Sequence, residues 1–476
     1  MQDLIVIGGG IGGLMTAYAA AKRGLKVTVL EKGKALEARK CPAGEKVGCR
    51  GCKVCSIVSG YAGAGAFSDG KFNLGTAYGG TLGEELGEET AMKYILMADK
   101  ILEGCSGGDW PEVYGVDREL GLKCLQNGLK LLDMNVRHLG TDRNAVVMGR
   151  FVKLLGEMGV EMYSECKVVD VKWDESVGAF KVAGGISRWA KNVVFATGRG
   201  GAEMVERFCR ENGVEVRANA VDLGVRVEMK DMVWREFSEK IYEPKILYRT
   251  KTFEDQCRMF CFNKGGVVSA ENNGGIVTAN GHAYGDNRTD NCNFAILTSI
   301  NFTEPFNKPT EYAKSVSSLA NMIGNGNVLV QRFGDLIRGR RSTEERMGKG
   351  NVKPTLKATP GDLSLVLPHR VLVDIIETVE ALDKVAPGTA NDDTLLYGCE
   401  SKYYSIRPAM DEEFCVMKKR RGSGSDGGEV YDGCEDVCGV YVVGDGSGVC
   451  RGLSQSAAMG LYVGEKICEN VDERKM

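Results

Sequence analysis

Residues 3–32 read DLIVIGGGIGGLMTAYAAAKRGLKVTVLEK. A short Ile/Val run, a glycine cluster, an Ala-rich stretch and a second Val/Leu run follow one another, which predicts strand, turn, helix and strand. Such a βαβ opening implies parallel strands joined by a crossover helix. Residues 4–21 carry no charge over a length near the lower limit for a membrane span. The five glycines inside that stretch break it into strand and helix, so no membrane span is expected.

Gly8, Gly10 and Gly13 form G-x-G-x-x-G between the two elements. The first glycine allows the tight turn, the second lets backbone approach a pyrophosphate, and the third lets helix and strand pack closely. The helix N-terminus then offers unpaired N–H groups and the positive end of its dipole to the phosphates. Glu31 lies eighteen residues after Gly13, at the end of the second strand and beside Lys32. It is placed for an adenosine ribose 2′-hydroxyl, and its charge repels a 2′-phosphate, so FAD or NAD is expected rather than NADP.

Outward from this unit, residues 40–80 are rich in Gly and Cys and weak in period, hence loop. Helical patterns return over 84–135 and in DRNAVVMGRFVKLLGEMG, followed by strand-like VEMYSECKVVDVKW, AFKVAG and KNVVFATG. Length alone favours two lobes at 476 residues. The expected architecture is α/β: a Rossmann-like dinucleotide-binding domain over 1–200 and 433–476, with an α+β substrate domain inserted over 201–432. The net charge of -3 gives no global basic field, which argues against nucleic acid or an anionic membrane as partner. Seventeen cysteines without a secretory signal pattern point to a reducing, cytoplasmic setting.

NVVFATG, ending at Gly198, and GVYVVGDG, containing Asp445, are apolar strands ending in small-residue turns. They resemble the pattern of two-dinucleotide-binding flavoproteins of the glutathione reductase type, in which the late aspartate binds the ribityl chain of FAD. The resemblance implies FAD. A second complete G-x-G-x-x-G is missing, so NAD(P)H is expected only as a transient donor. GYAGAGAFSDGKFNLG, VDLGVRVE, NGHAYGDNRTDNCNFAIL, RFGDLIRGRRST and GDGSGVCRGLSQSAAMG look like a family of FAD-dependent dehydrogenases of mostly unassigned substrate. That resemblance places Ser68, Asp69, Gly70 and Lys71 near the flavin or its pyrophosphate. It places Gly452, Leu453 and Ser454 at a helix start facing the isoalloxazine, where the dipole would stabilise negative charge on reduction. By analogy with the wider superfamily, backbone atoms of Val168 touch the adenine.

CPAGEKVGCRGCKVC, residues 41–55, holds Cys49, Cys52 and Cys55 at C-x2-C-x2-C spacing with Cys41 upstream. The triple resembles the iron–sulfur run of bacterial ferredoxins, implying a [4Fe–4S] cluster. Four thiolates also suit a structural zinc. Unmetallated thiols made reactive by Arg50 and Lys53 are a third reading. The segment lies between Glu31 and the flavin-facing AGAGAFSDGK, where an electron relay from a ferredoxin-like donor would enter.

Three histidines limit acid–base chemistry. His282, in a glycine- and asparagine-rich stretch, is the candidate proton donor, with a hydrogen-bonded loop role as the alternative. His369, at a helix start, reads as structural. Arg338 to Thr343, RGRRST, is either a carboxylate or phosphate fork or an exposed basic turn. Lys402, Tyr403 and Tyr404 either line a pocket or pack in a sheet, and Cys257 and Cys261 read as core. The chemistry expected is hydride transfer between flavin and a small organic substrate, in the direction of reducing an unsaturated bond. Flavin-dependent RNA modification, a monooxygenase, and a non-catalytic electron carrier or redox sensor are the rivals.

Overall fold

The computed structural model describes residues 1–42, 52–132, 135–241, 243–273, 275–282, 289–403, 405–417 and 439–473. The chain divides into two compact units, one of residues 1–113, 134–219 and 404–476, the other of 114–133 and 220–403.

In the first unit β1 (Gln2–Ile7), α1 (Ile11–Lys22) and β2 (Val27–Leu30) follow the expected order. The helix α2 (Thr141–Glu157) leads into β3 (Glu161–Tyr163), and β4 (Val168–Asp174), β5 (Ala179–Gly184) and β6 (Ser187–Phe195) form a meander. β7 (Val440–Val442) returns to the sheet ahead of the long α3 (Leu453–Glu473). The spatial order is β3-β2-β1-β6-β5-β4, with β7 also on β6. Pairing is parallel from β3 through β6 and to β7, and antiparallel from β6 to β4.

Alternation along β1 explains why its Ile/Val run is buried throughout. Leu4 and Val6 face a core with Leu14, Met15, Phe151 and Met459, while Ile5 and Ile7 face another with Phe180, Val193, Phe195 and Phe208. A parallel strand covered on both faces has no solvent side. α1 lies directly on α3: a Cβ on Gly460 would sit 2.1 Å from the Gly12 carbonyl oxygen, and one on Gly464 2.7 Å from Ala19 Cβ.

The second unit is an eight-stranded sheet among the described residues, with Val221–Lys230 paired to Asn291–Ile300 on one side and Leu395–Lys402 on the other. Leu223, Val225, Val227 and Met229 join Phe294, Ile296, Trp234 and the helix His369–Asp383 in its core. The intervening positions Asp222, Arg226 and Glu228 put charge on the opposite face.

These units run differently from 1–200, 201–432 and 433–476. Residues 202–211 form a helix whose Val205, Phe208 and Cys209 belong to the first unit's core, and Arg407–Pro408 pairs with Val216–Arg217 there. Conversely, Leu129–Leu131 pairs with Ile246–Arg249 of the second sheet. A three-residue strand carries too little periodicity for its partner to be read from sequence. No described helix is long and apolar enough to cross a membrane.

Candidate functional site

The turn between β1 and α1 has room on one side only. Gly8 has φ +109, and a Cβ there would lie 2.3 Å from the Ala196 carbonyl oxygen. A Cβ on Gly13 would meet the Gly8 oxygen at 2.4 Å and Val6 Cγ1 at 2.9 Å. At Gly10 the nearest atom would be 4.0 Å away. Gly10 is also the N-cap of α1 and supplies no side-chain cap. The first N–H groups of the helix therefore face an open cradle of the kind that receives a pyrophosphate.

Glu31 ties this turn to two others. One carboxylate oxygen accepts the Gly9 N–H at 2.7 Å; the other accepts those of Gly33 at 2.7 Å and Gly60 at 2.9 Å. Two carboxylate oxygens offer about four acceptor positions, so capacity for a ribose hydroxyl is left. The Cys166 N–H donates to the Glu31 carbonyl at 2.8 Å, which brings the start of β4 and Val168 beside the second strand. Lys32 Nζ reaches the Gly200 carbonyl at 3.3 Å. Gly198, at φ +57, borders Gly446, and the adjoining Asp445 pairs with Arg199 at 2.8 Å.

The segment from Gly60 to Lys71 runs along the same turn. Ala62 N–H donates to the Gly9 carbonyl at 2.7 Å, a Cβ on Gly63 would lie 3.1 Å from Gly10 Cα, and one on Gly65 would lie 2.3 Å from Leu453 Cδ2. Asn144 Nδ2 holds the Gly65 carbonyl at 2.6 Å, and Ser68 Oγ donates to the same oxygen at 2.8 Å. Gly70 has φ +66, and Asp69 pairs with Lys71 at 3.0 Å. At the start of α3 the N–H of Gly452 donates to the Gly79 carbonyl at 3.0 Å, and Gln455 Nε2 donates to the Tyr78 carbonyl at 3.0 Å. Ser454 Oγ, Thr197 Oγ1, Asn73 Oδ1 and Asn144 Oδ1 are buried without a hydrogen-bond partner. Open space at Gly10, an uncapped helix start, remaining acceptor capacity at Glu31 and these orphaned polar atoms fit a dinucleotide.

Arg39 has no counterpart among the expected site residues. It is 4 % exposed and donates to the carbonyls of Ser56 at 2.8 Å, Ile57 at 2.6 Å and Tyr61 at 2.6 Å, with its guanidinium 4.6 Å from the centre of the Phe67 ring. Burial pulls it down to about 10, opposed by the charges of Glu31 and Cys55. The same burial, with Glu31 adding, pushes Tyr61 up to about 12. Asn144, Gln455 and Arg199 are likewise not among the expected site residues: Gln455 stands next to Ser454 inside GDGSGVCRGLSQSAAMG, while Asn144 and Arg199 lie in no motif with a fixed spacing.

Cys41 and Cys52 are exposed and Cys55 is half-buried; Cys49 and Arg50 lie outside the described residues. Among the described residues no three His, Cys, Asp or Glu side chains gather into a metal-holding group.

The remaining candidates sit as follows. His138 is on the strand Val136–His138, paired with Lys71–Asn73 in the first unit. His282 is exposed at the end of the hairpin strand Ile276–His282 in the second unit, opposite Val267. His369 opens its helix, edge-on to Phe253. The RGRRST turn is largely self-satisfied: Arg338 pairs with Asp392 at 2.9 Å and Arg340 with the buried Asp335 at 2.7 Å. Those forks are engaged by carboxylates of the chain itself. Lys402 lies 3.3 Å from Glu400, and Ser401 donates to the Tyr403 hydroxyl; Tyr404 is outside the described residues. Cys257 is buried, whereas Cys261 is half-buried and its carbonyl accepts from Arg226.

A parallel sheet with helices on it, an open helix N-terminus behind a glycine turn and an acid closing the second strand define a Rossmann-type dinucleotide-binding protein. Residues 3–41 match the family described as FAD dependent oxidoreductase, and residues 221–403 match that described as FAD-dependent protein, C-terminal domain-like. The chain is an FAD-dependent oxidoreductase with a Rossmann-like FAD-binding domain. It is 24 % identical over 489 aligned residues to a Clostridium beijerinckii protein described as uncharacterized, covering 98 % of this chain and 81 % of that one. Among solved structures it is similar to glycine oxidase from Bacillus cereus, at 13 % identity over 100 % of this chain and 96 % of that one, TM-score 0.37. NikD, an amino acid oxidase of nikkomycin biosynthesis, aligns at 12 % identity over 98 % and 93 %, TM-score 0.42.

Proposed function

We propose that this oxidoreductase reduces an unsaturated bond of a small organic molecule, with electrons entering through the cysteine-bearing segment. FAD, when bound, supplies hydride transfer at N5. One hydride and one proton add across the substrate double bond; a ferredoxin-like protein returns two electrons, and two protons are taken up from solvent, one with those electrons and one to restore the group that protonated the substrate. Transient NAD(P)H is the second possible donor.

The observation that carries this reading is the path of one stretch of backbone. It leaves Cys52 and Cys55, turns under Arg39, lies on Gly9 and Gly10 through Ala62 and Gly63, and reaches Leu453 at Gly65. That continuity supports electron entry beside the flavin. In this reading Gly8, Gly10 and Gly13 receive the pyrophosphate, Glu31 holds the ribose, and Val168 borders the adenine. Asp445 takes the ribityl chain on leaving Arg199. Ser68 to Lys71 and Gly452 to Ser454 close on the flavin ring, where the α3 dipole stabilises negative charge. His282 supplies the substrate proton, and Cys41, Cys49, Cys52 and Cys55 hold a [4Fe–4S] cluster.

The test is an absorption spectrum of anaerobically purified protein with iron, zinc and labile sulfide assayed on the same sample. Flavin bands with stoichiometric iron and sulfide support the electron port. Flavin bands with zinc alone, or with no metal, overturn it and leave a nicotinamide donor.

A further inference from the structure

We propose that Arg39 is a positioning residue for FAD: it sets the turn from Ser56 to Tyr61 so that this turn closes over the ribose end of the site. The proposal rests on FAD occupying the glycine turn as read above.

The turn is pinned from two sides by opposite charges. Glu31 takes the Gly60 N–H, and one residue further on Arg39 takes the Tyr61 carbonyl. The next amide, that of Ala62, lies on the Gly9 carbonyl inside the glycine turn. Arg39 passes directly over Gly60, where a Cβ would lie 2.5 Å from Arg39 Cδ and where φ is +124. A side chain at Gly60 is therefore excluded both by space and by backbone conformation. The guanidinium answers three carbonyls with a planar fork, and Phe67 covers its face. A buried cation with this donor geometry has no equivalent in a lysine, whose ammonium reaches fewer of the three acceptors in one orientation. Without the fork those carbonyls lose the guanidinium, and the turn keeps only its backbone ties, the Ser59 N–H on the Cys55 carbonyl at 2.9 Å and the Tyr61 N–H on the Lys34 carbonyl at 3.2 Å, to bring Gly60 to Glu31.

The experiment compares wild type, Arg39→Gln and Arg39→Lys. FAD affinity is measured by fluorescence titration of the apoprotein, and amide hydrogen exchange is followed in peptides covering 56–67 and 221–230 with and without FAD. The expected result is FAD binding at least tenfold weaker in Arg39→Gln, with a smaller loss in Arg39→Lys. FAD should slow exchange over 56–67 in wild type and fail to do so in Arg39→Gln, with exchange over 221–230 unchanged in all three. Binding by Arg39→Gln within twofold of wild type overturns the proposal, as does equal protection of 56–67 by FAD in both. Should Arg39→Gln fail to fold, Arg39→Lys decides by the same criteria: unchanged affinity and protection overturn the proposal. Wild type that binds no FAD refutes the reading of the site itself, and the inference with it.

Discussion

Glu31 and Gly9 meet across the end of the sheet, the carboxylate accepting the Gly9 N–H at 2.7 Å while its other oxygen collects Gly33 and Gly60. One side chain thus fixes three turns of backbone around the position where a ribose would lie.

Glu31→Gln replaces an acceptor by an amide donor facing N–H groups. An unsatisfied buried donor costs about 1–3 kcal/mol. FAD affinity should fall roughly tenfold to a hundredfold, since each 1.4 kcal/mol is a factor of about ten. Titration of apoprotein checks this, and an unchanged dissociation constant would refute the role of Glu31.

Gly460→Ala should separate α1 from α3, because its Cβ would lie 2.1 Å from the Gly12 oxygen. Overpacking against backbone costs about 1–3 kcal/mol or more. Gly156, exposed in α2 with nothing near its Cβ position, is the control. Gly156→Ala should gain about 0.5–1 kcal/mol. Thermal unfolding of both variants should shift the midpoint in opposite directions.

Asp374 is buried in the helix His369–Asp383, where its carboxyl faces Thr250 and Asp255. Burial, with the Asp255 charge adding, raises it to about 6. The folded state then binds the proton more tightly than the unfolded state, so this group's contribution is intact below about pH 4 and is lost as pH rises through about 6. The loss is on the order of 2 kcal/mol by pH 8. In urea unfolding, Asp374→Asn should stabilise the protein at pH 8 more than at pH 5; an equal effect at both would count against a raised carboxyl.

Arg226 and Glu400 form a two-bond pair at 2.8 Å with both side chains fully buried. Glu400→Gln leaves the guanidinium without a countercharge, at a cost of about 3–5 kcal/mol. The double variant Arg226→Met with Glu400→Leu should recover most of that loss. A double variant no more stable than Glu400→Gln would show that the guanidinium's other partners, Asn280, Asn293 and the Cys261 carbonyl, depend on the guanidinium itself.

Residues 3–32 determined by themselves the opening of the first sheet, the glycine turn and the acid at its far side. Strand alternation, helix start and turn conformation are local properties, fixed by neighbours within a few residues. The tertiary structure decided what meets that turn. Arg39 finds its carbonyls 17 to 22 positions away in a stretch with no period. Gln455 reaches a carbonyl 377 positions away, and Arg199 meets Asp445 across 246. Gly12 and Gly460 carry no mark of their contact until two helices cross on them. Likewise Arg338 of RGRRST reads as a basic fork or exposed turn until Asp392, 54 positions on, folds onto it. Such pairings depend on which distant segments the two cores bring side by side, and a side chain's partner is a property of that packing rather than of its place in the chain.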